Sequence, residues 1–189
     1  MSKKVSVLVG SLRKASIARK IAKNLIEMFP EGYDVKIVEI RDLPLYDFDY
    51  DTASETDKPL PAIYTEFRET IKASDGVLFV TPENNRVVPA CLKNAVDICS
   101  KPNDDVALKG KPGAIVSHSV GTIGGYSAQK TLRLALSYFD MKLPGQPEVF
   151  LAKSPQYFDE GSDKINNEKT IEFLQGYINN FVKLIEENK

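Results

Sequence analysis

Histidine and cysteine are scarce in this chain, and long apolar runs are missing altogether. One histidine, His118, and two cysteines, Cys91 and Cys99, do not make the ligand pattern of a zinc site. The two cysteines stand eight positions apart in a helical pattern. That separation is about 12 Å of helical rise, too far for a disulfide. They read as buried thiols in a reducing compartment. No apolar stretch approaches the roughly 20 residues that a membrane helix needs. The apolar segment after Met1-Ser2-Lys3-Lys4 stops at Gly10, too short for the core and cleavage site of a signal peptide. A cytoplasmic protein without a membrane partner is expected. An excess of either charge is also lacking. The 25 Lys and Arg against 26 Asp and Glu leave a net charge of −1 with both signs interspersed, so nothing asks for nucleic acid as a partner.

What the chain does have is a regular alternation of short apolar runs and amphipathic helices. Its 189 residues, 42% hydrophobic and 27% charged, are enough for a substantial core. Val5–Val9 reads as a buried strand, followed by a helix whose apolar face runs from Ala18 to Phe29 and stops at Pro30-Glu31-Gly32. Val35–Ile40 reads as a second strand, and a long polar and aromatic loop continues through Pro61. A helix over Ala62–Lys72 leads to a third strand at Gly76–Val80. The next helix shows Leu92, Ala95, Val96 and Cys99 on one face. Pro112–Ser117 is the fourth strand, followed by a glycine-rich turn and a helix to about Phe139. Glu148–Leu151 is a short fifth strand, and the last helix carries Leu174, Ile178, Phe181, Val182 and Ile185. Five strand–helix units without a repeat or linker predict one doubly wound α/β domain spanning residues 1–189.

Such sheets bind ligands outside the carboxyl ends of their strands. The turns after strands one, three and four are therefore the candidates. The first, Gly10-Ser11-Leu12-Arg13-Lys14-Ala15-Ser16, joins a strand to a helix start, where free amides and the helix dipole favour an anion. Ser11, Arg13 and Ser16 add donors suited to one phosphate group. The turn has neither the glycines of a dinucleotide loop nor a Walker A pattern. The alternative reading is a plain helix start, with Ser16 as cap and Arg13 solvated. The second turn, Thr81-Pro82-Glu83-Asn84-Asn85-Arg86, offers amides that could read a flat heterocycle, or is an ordinary Pro-Asn turn. The third, Ser117 to Gly125, has three glycines that permit close backbone approach to a ligand. Its His118 is open to an acid–base, structural or exposed reading. No G-x-S-x-G elbow is present, so a serine hydrolase is excluded.

Taken together, "GSLRKAS" (10–16), "TPENNRVVPACLKNAVD" (81–97) and "GKPGAIVSHSVGTIGG" (110–125) resemble the NADPH-dependent FMN reductase family of flavodoxin-like proteins. That family includes quinone, chromate and azo-compound reductases. The resemblance extends over at least Val5–Leu151. It implies a five-stranded parallel sheet of order 2-1-3-4-5 and bound FMN, with NADPH or NADH as co-substrate. It implies that Ser11, Arg13 and Ser16 hold the phosphate. Pro82, Glu83, Asn84 and Asn85 would line the isoalloxazine, with Ser117, Ser119 and Gly121 on its other border. N5 of the flavin takes the hydride, so no side chain is needed as acid or base. A small electron acceptor is implied: a quinone, free flavin, an azo or nitro compound, or a metal oxyanion. A homodimer or homotetramer is implied as well. Two positions depart from the family pattern: Asn84 stands where tyrosine is usual, and His118 where a small residue is common. The other reading is a flavodoxin-type electron carrier. Against it stand Arg13 and the near-zero net charge, since such carriers are strongly acidic.

Overall fold

The structure is a computed structural model that describes residues 2–52 and 57–188. Five strands, β1 (Lys3–Val9), β2 (Tyr33–Ile37), β3 (Gly76–Pro82), β4 (Gly113–His118) and β5 (Val149–Leu151), form one sheet in the order β2-β1-β3-β4-β5. Every neighbouring pair is parallel. This is the flavodoxin-like arrangement. The helices are α1 (Ile17–Ile26), α2 (Ala62–Lys72), α3 (Ala90–Ile98), α4 (Tyr126–Ser137) and α5 (Glu168–Glu187). None of them, among the described residues, is long and apolar enough to cross a membrane.

Period-two alternation divides the strand residues between two cores. Val5, Val7, Val9, Leu78, Val80, Ala114 and Val116 face Ile21 and Leu25 of α1 and Leu174, Ile178 and Phe181 of α5. Leu8, Val77, Phe79 and Ile115 face the opposite way, toward Phe67 and Ile71 of α2, Leu92 and Val96 of α3, and Leu132 and Leu136 of α4. A fully buried side chain of this size is worth about 1.5–3 kcal/mol. The central strands β1, β3 and β4 are covered on both faces, which explains their nearly uninterrupted apolar composition.

The expected elements differ from the observed ones mainly at their ends. β2 occupies Tyr33–Ile37 rather than Val35–Ile40. One further ladder bond, from the Val38 amide to the Val7 carbonyl at 3.0 Å, ends the pairing. The chain then turns away to bury Ile40 and Leu43 in the core beneath α2 and α3. The first helix ends at Ile26, and Phe29 packs beyond it against Phe181, ring edge to ring face at 6.2 Å. β3 runs two residues further than expected, because Thr81 and Pro82 still pair with Ser117 and His118. β4 begins at Gly113 and includes His118, and α4 stops at Ser137. The segment 38–52 is tied down by the helices beside it: the Tyr46 amide donates to Asn94 Oδ1 at 2.7 Å, and the Tyr64 hydroxyl donates to the Pro44 carbonyl at 3.0 Å.

Candidate functional site

The turns after β1, β3 and β4 surround a cavity of about 630 Å³ at the carboxyl edge of the sheet. It sits beside the β1/β3 junction, where the order of strands reverses and where open α/β sheets place their ligands. Its volume lies within the range of small-molecule sites, roughly 300–1,000 Å³.

The first wall is the β1–α1 turn. The Gly10 amide donates to the Val80 carbonyl at 2.9 Å. A Cβ at Gly10 would lie 3.0 Å from Thr81 Oγ1 and 3.1 Å from Leu92 Cδ2, so glycine lets this turn pass close over β3. Arg41 grips the Leu12 carbonyl from outside. Ser16 is the N-cap of α1: its Oγ accepts from the Arg19 amide at 3.1 Å and keeps its own hydrogen to donate. Among the described residues the amides of Lys14, Ala15, Ile17 and Ala18 find no acceptor. The exposed Arg13 guanidinium has no partner there either.

A second helix start faces the same space. Pro89, Ala90 and Cys91 line the cavity at the beginning of α3, and neither α1 nor α3 has an acidic residue in its first turn. Two positive helix ends, uncommitted amides and an unpaired guanidinium therefore converge with no opposing carboxylate from those turns. This donor set fits the phosphate of FMN, a dianion with three acceptor oxygens.

On the β3 side, Pro82, Glu83 and Asn84 line the cavity. The Glu83 carboxylate is already committed: Oε2 accepts from the amides of Ser127 and Ala128 at 3.0 and 3.2 Å. It supplies the cap that Gly125 cannot give α4. Asn84 and Val87 exchange both backbone bonds, at 3.1 and 3.0 Å, around Asn85 and Arg86 with φ of 49° and 72°. This tight reverse turn carries Asn85 away from the cavity.

On the β4 side, His118, Ser119 and Val120 line the space. Ser117 does not. It is fully buried, its hydroxyl lying 3.0 Å from the Gly124 carbonyl and 3.2 Å from that of Val149. Gly121 lies outside the lining, its carbonyl taken by the Lys153 amide at 2.8 Å. Gly124 and Gly125 adopt φ of 62° and 80°, and a Cβ on Gly124 would come within 2.6 Å of the Phe150 carbonyl carbon.

Seven of the ten expected site residues thus gather at one cavity: Ser11, Arg13, Ser16, Pro82, Glu83, Asn84 and Ser119. Asn85, Ser117 and Gly121 stand outside it. The α3 start and Leu12 were not among the expected contacts, although Pro89-Ala90-Cys91 belongs to the second motif. Both cysteines are free; Cys91 is half-buried at the cavity, Cys99 fully buried, and burial pushes both thiols up, Cys99 to about 12.

The sequence profile of the NADPH-dependent FMN reductase family matches residues 3–156. A quinone reductase from Pseudomonas putida is 46% identical over 98% of this chain and 96% of its own. A 2-hydroxy-1,4-benzoquinone reductase from Burkholderia is 36% identical over the whole of both chains. Among solved structures, a flavoenzyme NAD(P)H:(acceptor) oxidoreductase from Paracoccus denitrificans superposes with a TM-score of 0.87. It is 33% identical, over 98% of each chain.

Proposed function

Since this chain belongs to the NADPH-dependent FMN reductase family, we propose that its cavity holds FMN and serves electron transfer from NADPH or NADH to a small acceptor, foremost a quinone. The observation that carries the reading is the β1–α1 turn, where free amides and an unpaired Arg13 meet without a competing carboxylate. Ser11, Arg13 and Ser16 would hold the phosphate. Pro82, Asn84 and Ser119 would border the ring, and Glu83 would act at one remove by fixing α4 against that border. When bound, FMN supplies a two-electron carrier that accepts hydride from a nicotinamide and delivers electrons to quinones, flavins, azo or nitro compounds, or metal oxyanions. The chain's own part is to anchor, orient and partly desolvate. Apolar lining residues such as Pro89, Ala90 and Val120 suit a flat acceptor such as a quinone better than a hydrated oxyanion.

A second copy of the chain is proposed to cover the exposed apolar side chains that follow β4, the first of which, Val120, lines the cavity. Val120 and Ile123 in the turn before α4, Tyr126 and Leu134 in the helix, and Tyr138 at its C-cap are each between 45% and 75% exposed. A homodimer or homotetramer, as the resemblance implies, would bury them; the mass in solution tests this.

The test of the function is the visible spectrum of the purified, FMN-loaded protein before and after anaerobic NADPH. The flavin bands should bleach within turnover time and return on addition of a quinone. A protein that takes up no FMN, or whose FMN is not reduced, refutes the reading.

A further inference from the structure

One residue that lines the cavity keeps a buried polar atom without a partner among the described residues. His118 ends β4 and lines the cavity, yet only 6% of its surface is exposed. Nδ1 lies 2.9 Å from the Ser154 hydroxyl, while Nε2 is buried and has no hydrogen-bond partner among the described residues. Ser154 is itself fully buried, and Nδ1 is the only partner its hydroxyl has among those residues. A hydroxyl always carries a hydrogen to donate, whereas a neutral imidazole has one bare nitrogen. The Ser154 hydrogen finds an acceptor only if Ser154 donates to a bare Nδ1. The ring hydrogen then sits on Nε2. Burial holds the imidazole well below its ordinary 6.5, at about 4, so it stays neutral at physiological pH. This lining residue therefore carries a buried neutral N–H donor that lacks an acceptor among the described residues, an arrangement rarely left unsatisfied in a folded protein.

The sheet order indicates which part of a ligand reaches that donor. β3 lies between β1 and β4, so the phosphate turn and His118 are separated by two strand spacings, about 10 Å. A molecule anchored by its phosphate at Arg13 and Ser16 and extended across β3 brings its far end to β4. In FMN the far end is the isoalloxazine, whose carbonyl oxygens and bare ring nitrogens lie in its pyrimidine half and central ring. The dimethylbenzene ring offers no acceptor.

We propose that Nε2–H of His118 donates a hydrogen bond to an acceptor atom of the isoalloxazine's pyrimidine half, with Ser154 as the positioning residue that sets the imidazole tautomer. This inference rests on the FMN reading above and adds a ring-orienting contact to it. A donor at the pyrimidine half favours the electron-rich reduced state, so it also raises the midpoint potential of the bound flavin.

Because His118 is the only histidine in the chain, its ring nitrogens and their hydrogen are unambiguous in NMR of isotope-labelled protein. The experiment titrates FMN into apoprotein, with quenching of flavin fluorescence reporting binding. The apoprotein should show a protonated Nε2 and a bare Nδ1. Saturation with FMN should move the Nε2 hydrogen downfield and slow its exchange with water. The double variant His118→Phe/Ser154→Ala removes both partners. It should melt no lower than wild type without FMN, bind FMN roughly five- to tenfold more weakly, and hold it at a lower midpoint potential. A merely structural histidine predicts the reverse for melting and no change in potential. FMN that binds while the Nε2 signal stays unmoved overturns the inference and leaves the FMN reading standing. Failure of the wild type to bind FMN at all overturns that reading, and the inference with it.

Discussion

Arg68 and Asp51 face each other through two parallel hydrogen bonds of 2.8 Å, with side chains only 4% and 7% exposed. The Arg68 Nε donates as well, to the Ile98 carbonyl at 2.8 Å. One guanidinium thus joins the segment 38–52 to α2 and to the end of α3, the helix whose start lines the cavity. Removing one member of such a pair leaves a buried charge uncompensated, at a cost of about 3–5 kcal/mol. Asp51→Ala should lose that much stability in urea unfolding, and Asp51→Ala/Arg68→Leu should recover most of it. Equal losses in both variants would mean that the contact acts through packing alone.

Arg13 is the contrasting case, an exposed guanidinium with no partner among the described residues. Arg13→Ala should leave stability within about 0.5 kcal/mol of wild type. It should weaken FMN binding roughly ten- to a hundredfold, the range of a lost charge-assisted hydrogen bond of about 1.5–3 kcal/mol. Salt should also weaken FMN binding less in the variant than in wild type. Fluorescence titrations at two ionic strengths measure both effects. An unchanged dissociation constant would assign Arg13 to solvent.

The contrast shows what the sequence alone makes legible. Strands β1, β3 and β4 stand out as apolar runs because both faces are covered. The edge strand β2 is only half-buried, so its pattern blurs into Val38–Ile40, which serves a different core. Ser11, Arg13 and Ser16 are legible as polar residues directly after a buried strand. Ser117 also was, in principle: alternation along β4 puts it on the Ile115 face, under α4 and beside Gln129. Asn85 depends on the positive φ of its turn, which an Asn-Arg pair does not announce. The Glu83 cap on α4 and the Asp51–Arg68 pair span 44 and 17 residues, beyond the reach of any local pattern.

The lone histidine also makes acid stability readable. The native imidazole titrates at about 4 against 6.5 in the unfolded chain. Between those values the unfolded chain holds a proton that the native one refuses. Stability is therefore complete above pH 6.5, falls as pH drops through the window, and its loss ends near pH 4. The total is about 3 kcal/mol, of which about 2 kcal/mol is lost by pH 5. Glu39, held down by Arg19, and Asp163, held down by Lys20 and Lys23, begin to contribute only below their ordinary values of 4.5 and 3.8. Urea unfolding of wild type and His118→Phe at pH 7 and pH 5 isolates the histidine. The wild type should lose stability and the variant should hold it; parallel losses would place the titrating group elsewhere.

Asn84 bears on which acceptors enter the cavity. Its backbone is fixed by both bonds to Val87, and it lines the cavity at the position where the resemblance to the family leads one to expect tyrosine. A tyrosine there would add an apolar wall, and aromatic stacking is worth about 0.5–1.5 kcal/mol beyond area burial. Asn84→Tyr should therefore bind FMN roughly two- to tenfold more tightly. The same ring narrows the space above the flavin, so kcat/KM should fall for a bulky quinone and change little for benzoquinone. The ratio of the two rate constants, compared between wild type and variant, is the measurement. Because a general loss of activity lowers both values together, only a change in their ratio places Asn84 at the border of the acceptor space. An unaltered ratio would move the acceptor to the β4 side, against Ser119 and Val120.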